Sequence, residues 1–280
     1  MKTKLDAGKR REEQDIKESR PWIYLFGAIL WTWGFYGLAF LFGEALFSFP
    51  SVLFYAAGGL GPLAVSTILI GSGYWGSDSS LSEFLKRCLN PWSLSVRWYL
   101  IIIGLVTILT LIPWSFSSPQ VLGRGPLDVG PPLFLLIGII FGGLEEIGWR
   151  GYAQESLQSR LSVLNSSLVI GLFWAVWHLP LFFMEGTYQA TLGAGSPAFW
   201  SFNFSIIIIS PIYAWIFNSA GKAPFAAVIF HALSNVAGEL TVDAPMIPDL
   251  VVPLVVSAFL IAVSWKWIKE PSPELEKKES

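Results

Sequence analysis

"PPLFLLIGIIFGGLEEIGWR", residues 131–150, is the stretch on which the reading of this chain turns. An apolar run of membrane-spanning character leads into two adjacent glutamates, Glu145 and Glu146, with Arg150 close behind. Ionisable groups are rare inside such runs, and those found there are usually paired or functional. Residues four apart share a helix face while neighbours point about 100° apart, so Arg150 can pair with Glu146 while Glu145 faces elsewhere. The plain alternative is a helix end at the membrane interface, where the three charges sit among headgroups and only orient the span.

Composition frames the choice. The 280 residues are 53% hydrophobic and 14% charged, with a mean hydropathy of +0.56, the profile of an all-α, polytopic membrane protein rather than a soluble domain. A net charge of -2, with basic residues scattered over loops and termini, offers no nucleic-acid-binding face. The lone Cys88 excludes an intramolecular disulfide.

A spanning helix needs about 20 mostly apolar residues, and eight such stretches are expected: 22–42, 52–74, 98–116, 132–149, 163–184, 200–218, 224–240 and 250–268. The first is too long for a cleaved signal peptide and lacks a small-residue cleavage site, so it reads as a retained anchor. Loop charges support the count. With both termini cytoplasmic, Lys and Arg fall in the cytoplasmic segments throughout, and Arg124 alone lies outside. The charged arms at 1–20 and 270–280 read as disordered. In "SLSEFLKRCLN", Ser80 and Glu83 have capping-box spacing ahead of an amphipathic pattern, which predicts one interfacial helix with Lys86 and Arg87 near the headgroups.

The two histidines, His178 and His231, both fall inside expected spans. Each alone is often a helix-to-helix hydrogen bonder; two of two, beside a buried acid, point further. If the fourth helix runs on past Trp149 and turns near Ser162, Glu145 and His178 come level on an antiparallel hairpin, with a mismatch of about 1.5 Å, and Gly142 and Gly143 let the two backbones approach closely. His231 and Asn235, four apart, share a face of the seventh span. Glu239, one turn on, falls at the outer boundary.

These residues resemble the CPBP intramembrane proteases, a family that includes the CAAX prenyl endopeptidases and bacteriocin-processing or self-immunity relatives. Its three motifs occur in order: Glu145, Glu146 and Arg150 for EExxxR; "WAVWH" ending at His178 for FxxxH; His231 and Asn235 for HxxxN. The resemblance covers roughly residues 132–238 and implies an eight-helix protease domain over 21–269. One departure stands out: the family's usual phenylalanine four before the first histidine is Trp174 here, with Phe173 just before it.

The resemblance implies peptide-bond hydrolysis inside the membrane, and the residues supply a scheme for it. Glu145 acts as general base toward a water shared with His178, and His231 and Asn235 donate to the oxyanion, with Glu146 and Arg150 in support. Hydrolysis also requires a polar cavity, expected to open toward the cytoplasm. Glu145, His178 and His231 are also a plausible zinc set with water in the fourth position; the metal-free scheme is favoured, because Asn235 is a poor zinc ligand and a good oxyanion donor. A prenylated CAAX tail, a secreted peptide precursor or a membrane-anchored regulator are all compatible substrates, with membrane lipid as the surrounding partner. Other readings remain: a non-proteolytic immunity or scaffold protein of the same fold, or an ion- or proton-coupled transporter, which predicts repeat symmetry that the sequence lacks.

Overall fold

The computed structural model describes residues 19–42, 48–74, 80–118, 130–241 and 244–270. The charged arms expected at 1–20 and 270–280 lie outside these residues apart from Ser19, Arg20 and Glu270. Among the described residues every element is helical. Six helices are long and apolar enough to cross a membrane: α1 (Pro21–Leu41), α5 (Val96–Trp114), α6 (Pro132–Gln158), α7 (Val163–His178, extended by a 3₁₀ turn at Leu179–Phe183), α9 (Pro197–Ser219) and α11 (Met246–Val263). Shorter elements are α2 (Ser51–Gly59), α3 (Gly61–Gly71), α4 (Leu81–Cys88), α8 (Tyr188–Leu192), α10 (Pro224–Leu240) and α12 (Trp265–Ile268).

The count differs from the eight spans expected. The second expected span is a broken rod, α2 and α3 meeting at 59°, and counting it as one crossing gives up to seven. The expected seventh span, α10, has 17 residues, about 26 Å at 1.5 Å per residue, at the short limit for a crossing. Local chemistry explains the break. Pro62 has no N–H to give to the carbonyl four residues back, and that carbonyl, Gly58 O, instead accepts a 2.7 Å hydrogen bond from Thr32 Oγ1 on α1. The same hydroxyl accepts from Trp177 Nε1 at 2.7 Å, so one threonine joins α1, the break and α7.

The fold is greasy outside and polar within. Leu30 is 73% exposed and Phe259 62%, while Glu146, Arg150, Gln154, Ser166, Ser167 and Ser210 are wholly buried. That is the pattern of a multi-pass membrane protein, whose lipid-facing surface needs no polar cover and whose polar groups must find partners inside.

One end of the molecule collects the basic residues. Arg160 reaches the Ser19 carbonyl at 3.0 Å, Arg87 pairs with Glu155 at 2.7 Å, Gln158 bonds Asn218 at 2.8 Å, and Val163 N donates to Glu270 O at 3.4 Å. The predicted short helix is present as α4, with Ser80 Oγ accepting from Glu83 N at 3.1 Å. Cys88 on it is buried, and burial pushes its thiol up to about 12, which leaves it inert as a nucleophile.

α6 is unusual. Two π-helical stretches, Ile139–Gly143 and Trp149–Gln154, flank the α-helical turn Glu145–Gly148. Its glycines are contact points. A Cβ on Gly148 would collide with the Pro62 carbonyl and the Tyr24 hydroxyl, and one on Gly151 would stand 2.8 Å from Cys88 Sγ. Gly148→Ala is therefore expected to destabilise the protein by about 1–3 kcal/mol through overpacking, seen as a lower yield of monodisperse protein and a lower melting temperature; an unchanged melting temperature would mean that α3 can draw back from α6.

Candidate active site

The site is built on α6. Glu146 on its short α-helical turn and Arg150 on the π-helical stretch that follows project together, Arg150 Nη1 donating to Glu146 Oε2 at 2.8 Å. The other oxygen, Oε1, lies 2.9 Å from His231 Nδ1 on α10. A carboxylate oxygen only accepts here, so Nδ1 carries the proton and donates it. Arg150 is held further by Ser210 Oγ, which accepts from Nη2 at 3.1 Å and itself donates to the Ser167 carbonyl at 2.7 Å. The guanidinium carbon also lies 4.3 Å from the Tyr213 ring centroid and 5.0 Å from that of Trp174, cation–π geometry that is worth most where water is excluded.

Glu145, on the neighbouring face, takes none of this. Its Oε2 accepts from Trp174 Nε1 at 3.0 Å. The residue that departs from the family pattern is thus the one whose ring nitrogen meets the candidate base, and a phenylalanine could pack there but not donate. His178, one turn beyond Trp174, donates Nδ1–H to the Trp174 carbonyl at 2.8 Å, which leaves Nε2 as the acceptor in the neutral ring. The Trp174 ring lies 6.0 Å from that of His178 and 5.4 Å from that of His231. Trp174 is therefore the hub around which both histidines and Glu145 gather.

Asn235 completes the group from α10. A Cβ on Gly142 would collide with Asn235 Nδ2 and come within 2.8 Å of the His231 ring, so only glycine lets α6 come so close to both. Gly138 and Gly143 meet α10 in the same way, at the Ala232 and Val228 carbonyls, 2.9 and 3.0 Å from their would-be Cβ positions. The expectation that Gly142 and Gly143 bring α6 close to α7 is thus corrected: they bring it to α10.

Two other expectations change. The turn falls where it is expected, with Ser162 capping α7 by accepting from Asn165 N at 3.1 Å, but Glu145 comes level with Trp174, a turn short of His178. A π-helical turn holds more residues and covers less length per residue than an α-turn, so α6 lifts Glu145 less far than a straight α-helix would. The cavity expected to open toward the basic end is closed there, since every residue from Glu145 to Gln158 is buried. Glycines and alanine in that segment let α3 and α4 pack against it. On the other side Asn235, Gly238 and Glu239 are exposed and His178 is half-buried.

Glu145, His178 and His231 do not gather as the zinc set that the sequence allows. Among the described residues no three His, Cys, Asp or Glu side chains come together as a group able to hold a metal ion. The set does not fit that use.

Three partners are missing from the sequence reading: the Trp174 indole N–H, Ser210 and Tyr213. Ser210 had a signal, a serine closing the isoleucine run in "IIIISPIYAW"; the aromatic pair had none, among 14 Trp and 8 Tyr.

The model of the Type II CAAX prenyl endopeptidase Rce1-like family matches residues 128–237, which run from just before α6 to the last turn of α10. CAAX prenyl protease 2 of Methanococcus maripaludis is 32% identical over 248 residues, 83% of this chain and 88% of that protein. The chain belongs to the CPBP family of intramembrane proteases. It is a peptidase, and an integral multi-pass membrane protein. Lysostaphin resistance protein A of Staphylococcus haemolyticus is similar over a smaller part, 27% identical over 111 residues, 40% of this chain and 28% of that protein; its Staphylococcus epidermidis counterpart is 33% identical over 101 residues, 36% and 24%.

In this CPBP protease the Trp174 indole is a donor that orients Glu145. Trp174→Phe is expected to lower kcat roughly tenfold or more, the worth of one hydrogen bond to a charged group, with KM little changed; an unchanged kcat would mean that the indole nitrogen does not orient the carboxylate.

Proposed function

We propose that the protein is an intramembrane endopeptidase that cleaves a membrane-associated peptide or prenylated protein, with Glu145 as general base, His178 as water ligand, and His231 and Asn235 as oxyanion donors. The observation that carries this reading is the division of the glutamates: Glu146 is spent on Arg150 and His231, while Glu145 meets neutral indoles, Trp174 Nε1 on Oε2 and Trp149 beside it. Its other oxygen is available to a water that also donates to His178 Nε2.

Charge counting supports the roles. Two carboxylates face one guanidinium, and a buried cluster is least costly when neutral. One further proton achieves this, and it can sit on Glu145 or on His231. With the proton on His231, Glu145 is an ionised base and His231 Nε2–H is a donor, which is the reactive arrangement. Glu145 takes a proton from water as the oxygen attacks the scissile carbonyl carbon. The oxyanion accepts from His231 Nε2–H and the Asn235 amide. Collapse breaks the C–N bond, and the proton on Glu145 passes to the departing nitrogen.

A prenylated substrate is suggested by the name of the archaeal relative, which matches over most of both chains. The immunity or scaffold reading has only partial matches behind it.

The membrane arrangement belongs to the same proposal: eight crossings, counting the bent α2–α3 pair and the short α10, with both termini cytoplasmic. The basic end formed around Arg20, Arg87 and Arg160 is then the cytoplasmic one. Asn235 then faces the outer half of the membrane, so substrate arrives from that side or laterally.

Two tests follow. Glu145→Gln is expected to fold and to lose cleavage, read by mass spectrometry on lipidated and unlipidated peptides; Asn235→Ala is expected to slow cleavage by on the order of 10² to 10³, the cost of one oxyanion donor. Arg150→Ala, by contrast, is expected to lower the amount of folded protein, and equal loss of folded protein in Glu145→Gln would make both residues architectural. For topology, single cysteines placed at Lys222 and at Gly238 in a Cys88→Ala background should be labelled from opposite sides, Gly238 from outside intact cells. The reverse pattern would turn the site toward the cytoplasm and overturn the proposed orientation.

A further inference from the structure

Below the site a buried polar row runs down α6. Glu146, Arg150, Gln154 and Gln158 recur every four residues, and none is more than 1% exposed. In a plain α-helix such a row would drift by about 40° per step. The π-helical stretch Trp149–Gln154 takes up the drift, because it fits extra residues into its turn, and so keeps the row on one face.

The row has a direction. At the basic end Asn218 Nδ2 donates to the Ala214 carbonyl at 2.8 Å, which fixes its amide. Gln158 Nε2 then donates to Asn218 Oδ1 at 2.8 Å, and Gln158 Oε1 accepts from Asn218 Nδ2 at 2.9 Å and from Gln154 Nε2 at 2.6 Å. Each amide orients the next, and the last, Gln154, is left with its oxygen free. Gln154 Oε1 and Arg150 Nε are both buried without a protein partner. They are an acceptor and a donor on successive turns of one face, the polar pair that a single buried water satisfies.

Arginine and carboxylate prefer a two-pronged pair. Arg150 and Glu146 make one prong only, from Nη1 to Oε2, because Nη2 is turned to Ser210, and Nε is left buried without a protein partner. That restraint leaves Glu146 Oε1 for His231. We propose that Gln154 is a positioning residue for the peptidase site: through a water held between its Oε1 and Arg150 Nε, it keeps the Arg150–Glu146 pair one-pronged and so reserves Glu146 for His231. This rests on the reading of His231 as a site residue.

The chain has two histidines, so the full-length protein labelled with ¹⁵N-histidine in lipid nanodiscs gives two ring systems, distinguished with His178→Gln. In the wild type the His231 Nδ1 proton should be hydrogen-bonded and slow to exchange. In Gln154→Leu it should become fast-exchanging, with mixed tautomers, while the His178 signals stay in place, and kcat should fall about tenfold at constant KM, one hydrogen bond's worth. Should Gln154→Leu not fold, Ser210→Ala removes the other tether and Asn218→Leu the anchor of the amide row; both are expected to loosen the same proton. Asn218→Leu added to Gln154→Leu should add little, as for residues in one network. An unchanged His231 Nδ1–H in folded Gln154→Leu overturns the proposal. The spectrum reads the row whether or not Glu145 proves to be the base, which only the cleavage assay of Glu145→Gln addresses.

Discussion

A carboxylate with no exposure, inside a protein that lies in a membrane, must be answered by positive or donating groups, and Glu146 is that carboxylate. Breaking such a pair is worth several kcal/mol, about 3–5 where one partner is simply removed. Its two oxygens are shared between Arg150 of the same helix and His231 of α10, and Arg150 in turn reaches Ser210 and Tyr213 of α9 and lies against Trp174 of α7. Four helices thus cross at one charge cluster. Because lipid gives helices no hydrophobic reason to associate with one another, such polar contacts and close packing of small residues hold them in place. The same group that fixes the bundle also orients the catalytic family's second histidine, and structure and chemistry are inseparable there.

The π-helical stretches of α6 make that arrangement possible. They let a row of side chains four apart stay on one face, and they shorten the helix so that Glu145 meets Trp174. Glycines stand at the crossings of the same helix: Gly142 against His231 and Asn235, Gly148 against Pro62. A uniform α-helix with the same sequence would let the row drift by about 40° at each step and would carry Glu145 further from the turn at Ser162.

Much of this was legible in the sequence, and for physical reasons. A glutamate and an arginine four apart announce a pair on any helix, and two histidines in apolar runs announce a polar interior. Ser162 announced the turn between α6 and α7 because a serine before an apolar run caps. What failed were inferences that assumed ideal helices. The break at Leu60 was written in "GGLGP", yet the apolar run around it reads as one span; the level of Glu145 was taken from a constant rise; and the glycines, which mark a close approach, do not say to which helix. The closed basic end was also hidden, since closure depends on which neighbours meet Gly148 and Gly151, a tertiary fact.

The adjacent glutamates of the motif acquire a reason from this geometry. A single carboxylate cannot both hold an arginine and act as a free base, because each hydrogen bond it accepts lowers its readiness to take a proton. Two at successive positions point about 100° apart, near enough to share one low-dielectric pocket and far enough to meet different partners. Glu146 takes the arginine and the histidine; Glu145 meets an indole N–H, a neutral donor that fixes its direction without neutralising it. Trp174 in place of the usual phenylalanine therefore changes more than the shape of the pocket. It adds a neutral restraint to the acid that the charged cluster leaves out, and it does so from α7, so that the hairpin holding His178 also aims Glu145, the proposed base.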